Sequence, residues 1–274
     1  MRETLKKIPV LVFAVRAGRK IMNALRHSHG GIDEAELRIF NAIKSDIKTV
    51  FDVGARLNTD YVDNSPGADI KFYLFEPNPN YFKKLCERVQ GRAGKSVEVL
   101  NYGLGQKRQR LEYYEDVQSF VKDNGYRKSE SKTLLQLEIY TLDEFCKERG
   151  IDAVDFLKVD VEGLDYQVLL GGETIIKRSC KYCQFEFGVG QTPDGSINTP
   201  EKYYQFFAEE FDLYYVRNPQ HPIHKELTNL TELTPLTATF RERIEAFLYR
   251  GSGCNILAVR KNYAPPQGFQ SLLA

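Results

Sequence analysis

The stretch Asp155–Gly172, reading DFLKVDVEGLDYQVLLGG, constrains this chain most. It begins as a short apolar run, Phe156-Leu157-Lys158-Val159, breaks at Asp160-Val161-Glu162-Gly163, and resumes with helical spacing at Leu164, Val168 and Leu169. That pattern predicts a buried strand, a turn bearing two carboxylates, and then a helix. In open α/β sheets ligands bind at the carboxyl ends of the strands, so two acids beside a glycine there form a candidate site.

Other segments repeat the theme. Val50–Val53, Ile70–Phe75 and Val97–Leu100 are short apolar runs ending at Asp52-Val53-Gly54, Glu76-Pro77 and Asn101-Tyr102-Gly103, with a helix predicted over Tyr81–Val89. Alternating strands and helices imply a doubly wound, mostly parallel sheet with right-handed crossovers. Arg108–Tyr114 and Leu134–Tyr140 read as an inserted hairpin, with the polar stretch Glu115–Lys132 between them. Thr141 and Glu144 form a capping box for the next helix. Further strands are expected at Lys181–Phe187, Phe211–Arg217 and Asn255–Arg260, and helices after Thr199-Pro200 and over Phe240–Tyr249. Gly188–Asn198 reads as a glycine-rich loop and Asn218–Pro235 as an irregular segment.

The domain plan that follows has three parts. Residues 1–48 form an N-terminal helical extension, 49–262 the α/β domain, and 263–274 a loose C-terminal tail. The extension contains an amphipathic helix over Asp33–Lys44 that covers the main domain, and a helix over 1–26 whose apolar run, Ile8–Val15, is too short to span a bilayer. Packing onto the domain is the plainer role for that first helix; a membrane surface or a second subunit, as in a homo-oligomer, is the other.

Lys and Arg number 38 against 37 Asp and Glu, a balance that leaves no electrostatic footprint for nucleic acid. Five cysteines, an odd number, favour a reducing compartment and a cytoplasmic location. Cys180 and Cys183 form a lone C-x-x-C without a second ligand pair at zinc spacing, and no metal triad can be assembled.

The chemistry sits at the strand ends. A glycine at 54 lets backbone and ligand approach closely. Glu76, 24 positions after Asp52, stands where a carboxylate accepts bonds from ribose hydroxyls. Asn101 stands where an adenine edge would lie. Arg56 and Thr59 occupy the later glycine positions of a dinucleotide fingerprint, which disfavours a nicotinamide dehydrogenase and favours an adenosyl ligand without phosphates. Arg56 could then pair with a carboxylate at the ligand's amino-acid end.

VFDVGA at Val50–Ala55, LFEPNP at Leu74–Pro79, TLDEF at Thr141–Phe145, LKVDVEGLDYQVLLGG at Leu157–Gly172 and QFEFG at Gln184–Gly188 together resemble the FkbM-type S-adenosylmethionine-dependent methyltransferases. The resemblance spans about Thr49–Arg260. It implies a class I methyltransferase fold, a Rossmann-like α/β domain with a seven-stranded sheet whose last hairpin strand is antiparallel. It also implies O-methylation of a hydroxyl on a sugar or other small metabolite.

Carried over by position, Asp52, Gly54 and Ala55 fall on the cofactor loop, Glu76 on the ribose acid, Asn101 and Tyr102 near the adenine, and Asp160 and Glu162 at the reaction centre, with Asp160 also beside the cofactor. Asp160 or Glu162 is the first choice of base, with Glu186 next; His221 and His224 are further candidates. The family loop G-A-N-x-G is here Gly54-Ala55-Arg56-Leu57-Asn58, and Asn58 is expected to tolerate the left-handed backbone in place of the missing glycine. The alternative is a binding or partner protein with this fold and a disabled loop.

Overall fold

A computed structural model describes residues 34–90, 92, 96–114, 134–161, 163–188, 190–191, 197–219, 221–225, 227, 230–248 and 253–274. The expected helix over 1–26, the polar stretch Glu115–Lys132 and Glu162 lie outside them. In chain order the elements are α1 (Glu34–Ile43), β1 (Thr49–Val53), α2 (Asp60–Asp63), β2 (Lys71–Phe75), α3 (Pro79–Val89), β3 (Ser96–Leu100), β4 (Gly103–Leu104), β5 (Gln109–Tyr114), β6 (Leu134–Tyr140), α4 (Leu142–Arg149), β7 (Phe156–Val159), α5 (Asp165–Gly171), α6 (Glu173–Ser179), β8 (Tyr182–Phe187), β9 (Gly190–Gln191), β10 (Ile197–Asn198), α7 (Pro200–Phe207), β11 (Phe211–Val216), β12 (Leu233–Pro235), α8 (Ala238–Leu248), β13 (Cys254–Arg260) and α9 (Gln267–Gln270).

The main sheet runs β12-β11-β13-β8-β7-β1-β2-β3. Pairings from β3 through β8 are parallel, and β13 runs antiparallel to both β8 and β11. The chain winds outward from β1 to β3 and then returns to place β7 on the other side of β1, so the order reverses between β1 and β7. The carboxyl ends at such a switch point open a crevice.

Helices cover both faces, which is why the central strands read as nearly continuous apolar runs. Alternation still sorts their side chains. Phe51, Val53, Leu157 and Val159 join the core built with α4 to α8, whereas Val50 and Phe156 join the core under α1, α2, α3 and α9. With a period of two, Asp52 and Lys158 therefore point to the second face.

Local chemistry sets the boundaries. Asn78 caps α3, its side chain accepting from the Asn80 and Tyr81 N–H groups, with Pro79 at the first position. The Thr141–Glu144 capping box forms as expected, and Gly150 closes α4 in the left-handed conformation at φ 61°. Thr199 makes no cap bond, so α7 starts on Pro200 alone. The L-L-G-G of the opening stretch is a packing device, because a Cβ on Gly171 would sit 1.9 Å from the Gly105 carbonyl oxygen.

Three expectations change. The sheet has eight strands rather than seven, because Leu233–Pro235 adds an antiparallel strand to β11 within the stretch read as irregular. Three residues ending in proline give no alternation to detect, and proline is tolerated because β12 is an edge. The segment 263–274 is packed rather than loose: Phe269 is 1% exposed, its ring 6.3 Å from Tyr182 and 6.0 Å from Tyr214, and the Leu233 N–H donates to the Leu272 carbonyl. The hairpin of β5 and β6 forms as expected but gains β4 to make a separate three-stranded sheet. Among the described residues no helix is long and apolar enough to cross a membrane.

Candidate active site

The ends of β1, β2, β3 and β7 adjoin, and hydrogen bonds lock their turns together. The Gly54 and Ala55 N–H groups both donate to the Phe75 carbonyl at 3.0 and 3.1 Å, and the Asp160 N–H donates to the Val53 carbonyl at 3.0 Å. Gly54 has φ +87°, and a Cβ there would lie 2.0 Å from the Asp160 carbonyl oxygen. Close approach of two strand ends thus requires the glycine, as well as its backbone angle.

The next turn corrects the sequence reading. Arg56, not Asn58, takes the left-handed backbone, at φ +52°. This aims its N–H at Glu76, whose Oε2 accepts it at 2.8 Å, while Glu76 Oε1 accepts the Asn78 N–H at 2.8 Å. The Arg56 guanidinium lies 5.1 Å over the Tyr81 ring. Asn58 is instead a buried brace: its Oδ1 accepts the Asp60 N–H at 2.8 Å, and its Nδ2 donates to Asp52 Oδ2 at 3.4 Å. Asparagine suits both tasks because its amide offers an acceptor and a donor.

Glu76 is buried, and burial pushes its carboxyl up to about 7 despite the opposing N–H bonds from Asn78 and Arg56. Two accepted bonds leave further lone pairs on both oxygens. Beside it Asn78 Nδ2 is buried with no hydrogen-bond partner among the described residues. Asn101 Nδ2 donates to the Glu76 and Pro77 carbonyls at 3.0 and 3.2 Å, tying the β3 turn to the β2 turn. Tyr102 packs against Phe75, Tyr140 and Phe145, and burial pushes its hydroxyl up to about 12. The turns carrying Gly54, Ala55, Arg56, Glu76, Asn101 and Tyr102 therefore share one rim, with the Asp52 side chain buried beneath it.

Asp160 reaches that rim from β7 with its side chain 47% exposed. Its Oδ2 accepts from Lys158 Nζ at 3.2 Å. Lys158 also lies 3.8 Å from Asp52 Oδ1, and burial pushes Asp52 up to about 6, with the lysine's charge acting against that rise. Sequence reasoning passed over Lys158, although a lysine inside a four-residue apolar strand was the available signal.

Asp165 was missed too. Fully buried, it accepts the Gly163 N–H at 3.0 Å and the Val161 N–H at 3.4 Å, and its carboxyl is pushed up to about 7 by burial and then by the Asp160 charge. Asn198 Nδ2 holds the Gly163 carbonyl at 3.3 Å from the opposite element. Together they shape the turn that carries Asp160.

Glu186 lies on β8 one residue past the Phe185–Val159 pair, at the same carboxyl end of the sheet as Asp160, and is in register with Asn255 of β13, its Oε1 2.4 Å from where a Gly253 Cβ would stand. The two histidines fall elsewhere. His221 is buried with rings of Tyr215 and Phe247 around it, its Nδ1 accepting the Ile223 N–H. His224 Nε2 lies 3.2 Å from the Tyr215 hydroxyl, and burial and Arg217 lower its proton affinity. These contacts give both histidines a place in the β11 packing rather than at the rim. Cys180 and Cys183 are buried free thiols, and no group of His, Cys, Asp or Glu among the described residues could hold a metal ion.

The sequence is 28% identical over 159 residues to the hexuronic acid methyltransferase AglP of Haloferax volcanii, an alignment covering 58% of this chain and 63% of that protein. The chain thus matches less than two thirds of that relative's length. Among solved structures it resembles the methyltransferase FkbM of Methylobacillus flagellatus, with 11% identity, TM-score 0.44, and coverage of 87% of this chain and 59% of that one. It also resembles a Streptococcus mutans protein crystallised with S-adenosylhomocysteine, with 10% identity, TM-score 0.43, and coverage of 83% and 96%. The sequence model for the methyltransferase FkbM domain matches residues 52–215, more than half of the chain and every strand end described above, and the chain belongs to that family.

Proposed function

We propose that this protein transfers a methyl group from S-adenosylmethionine to a hydroxyl of a sugar. The observation that carries the reading is Glu76, a buried carboxylate at the β2 end whose two oxygens are held by backbone N–H groups with lone pairs to spare. A rigid acceptor of this kind suits a vicinal diol such as a ribose. The unpartnered Asn78 Nδ2 beside it supports the same fit, as a donor awaiting an acceptor.

The cofactor, when bound, supplies a methyl group already activated on a sulfonium. Glu76 would hold the ribose, the Gly54–Asn58 turn would border the amino-acid end, and Tyr102 would form an apolar wall near the base. The chain's remaining task is alignment of the acceptor and removal of its proton. Asp160 is the described residue best suited to take that proton: its Oδ2 is engaged by Lys158, while among the described residues none bonds to Oδ1. Its half-exposed side chain stands where the buried acids do not. A sugar acceptor is supported by the Haloferax volcanii relative, and a hexuronic acid is the first acceptor to try.

Calorimetry with S-adenosylmethionine and S-adenosylhomocysteine, followed by mass spectrometry of uronic-acid glycans for a 14 Da gain, tests the proposal. Micromolar or tighter binding of both ligands is expected. Absence of heat with either one, at protein concentrations sufficient to detect such binding, would sink it.

A further inference from the structure

We propose that Lys158 is a positioning residue that couples the cofactor loop to the acid at the reaction centre. The ammonium lies between two strand ends, 3.8 Å from Asp52 Oδ1 and 3.2 Å from Asp160 Oδ2. The three side chains form a gradient of exposure: 1% for Asp52, 7% for Lys158 and 47% for Asp160. At the buried end Asp52 Oδ2 accepts from Asn58 Nδ2, and Asn58 in turn receives the Asp60 N–H that starts α2. A continuous polar chain therefore runs from the loop after β1 to the half-exposed carboxylate after β7.

The register makes this arrangement deliberate. Asp52 and Lys158 are cross-strand partners on β1 and β7, and Lys158 pairs with Gln184 on β8. Three polar residues thus sit in one row on a sheet face otherwise filled by Val50, Phe72, Phe156 and Tyr182. Among the described residues Gln184 Oε1 is buried without a partner, and Asp52 Oδ1 has no hydrogen bond beyond its ion pair with Lys158. Burying charge in such a layer is costly unless a specific arrangement is gained.

Every charged group facing the ammonium favours its protonated form. Asp160, Asp52 and Glu36 of α1 outweigh burial and hold the lysine above its usual range. Glu36 is itself fixed by Asn255 Nδ2 at 2.6 Å. Tyr61 of α2, whose hydroxyl has no partner among the described residues, and Asp60 complete the titratable surroundings of the row. Lys158 is thus a permanent cation, unsuited to be a base. Its effect is to keep Asp52 ionised under the loop and to pin one oxygen of Asp160, leaving the other for the acceptor.

The purpose of this device rests on the methyl-transfer reading, but its first test does not. In protein labelled with 13Cγ aspartate, the Asp52 resonance, assigned with Asp52→Asn, should titrate near pH 6. Replacing Lys158 with Met should raise that midpoint by about 1–3 pH units, and Lys158→Arg should return it towards the wild type. An unmoved midpoint in the methionine variant overturns the proposal. In the wild type, the 15Nζ resonance of Lys158 should shift through the same midpoint as Asp52. An Nζ signal indifferent to pH from 4 to 8 also overturns the pairing, whatever the variants do. A second arm measures S-adenosylhomocysteine binding at pH 7. Lys158→Met should weaken it several-fold and Lys158→Arg should recover it, whereas equal loss in both would mark the lysine as packing alone. Wild-type protein that does not bind the ligand at all would refute the methyl-transfer reading, and the aspartate titration would still decide the role of Lys158.

Discussion

Replacing Glu76 by glutamine removes one charge and almost no volume. The carboxylate accepts two backbone N–H bonds, from Arg56 and Asn78, each 2.8 Å long. Its folded proton affinity is raised from 4.5 to about 7, first by burial. Raised affinity in an acid means that its contribution to stability is complete below pH 4.5 and is lost as pH rises through about 7. Over that range the wild type forfeits about 3 kcal/mol that a neutral amide does not. The stability of Glu76→Gln relative to wild type should therefore rise by that amount between pH 4 and pH 8, as read by urea unfolding. Ligand binding should move the other way. Exchanging a charged acceptor for a neutral one against ribose hydroxyls should cost about 1–3 kcal/mol, roughly 5- to 150-fold in the dissociation constant of S-adenosylhomocysteine at pH 8. Wild-type affinity should fall as pH drops through about 7, a component absent from the variant. An unchanged dissociation constant at pH 8 would refute the placement of the ribose, and a stability difference flat across pH would refute the buried-charge reasoning.

Asp165 offers a second pH test away from the ligand. Burial raises its carboxyl from 3.8 to about 7, so thermal melts should show Asp165→Asn gaining on the wild type as pH rises through that window, while the slackened turn around Gly163 weakens catalysis. Phe269→Ala should cost about 3–5 kcal/mol by urea unfolding, because the ring is buried against Tyr182 and Tyr214; a neutral outcome would mean that the tail is not part of the core.

The winding of the sheet could be read from sequence because it depends on local patterns. Apolar runs of four to six residues, each ending in Asp, Glu or Asn and followed by helical spacing, fix strand, turn and helix without knowledge of their neighbours. The same is true of the Thr141–Glu144 capping box, whose parts lie three residues apart. Those runs also brought Asp52, Glu76, Asn101 and Asp160 to one edge, since parallel strands align their carboxyl ends.

What escaped was decided by contacts between distant segments. The three-residue strand β12 and the four-residue helix α9 are too short to show a period, and they exist because β11, α1 and Leu233 give them partners. The left-handed residue of the cofactor loop is Arg56 because Glu76, twenty residues on, takes its N–H, while Asn58 is drawn inward by Asp52. Gly54 looked like an opening for a ligand, yet the Asp160 carbonyl fills the space where a Cβ would go. The opening stretch gains most from this. Its pattern alone specified a strand, acids and a helix, but the meaning of Lys158 arose only when register set it beside Asp52, since a lysine's partners across a sheet are fixed by pairing and not by neighbours in the chain.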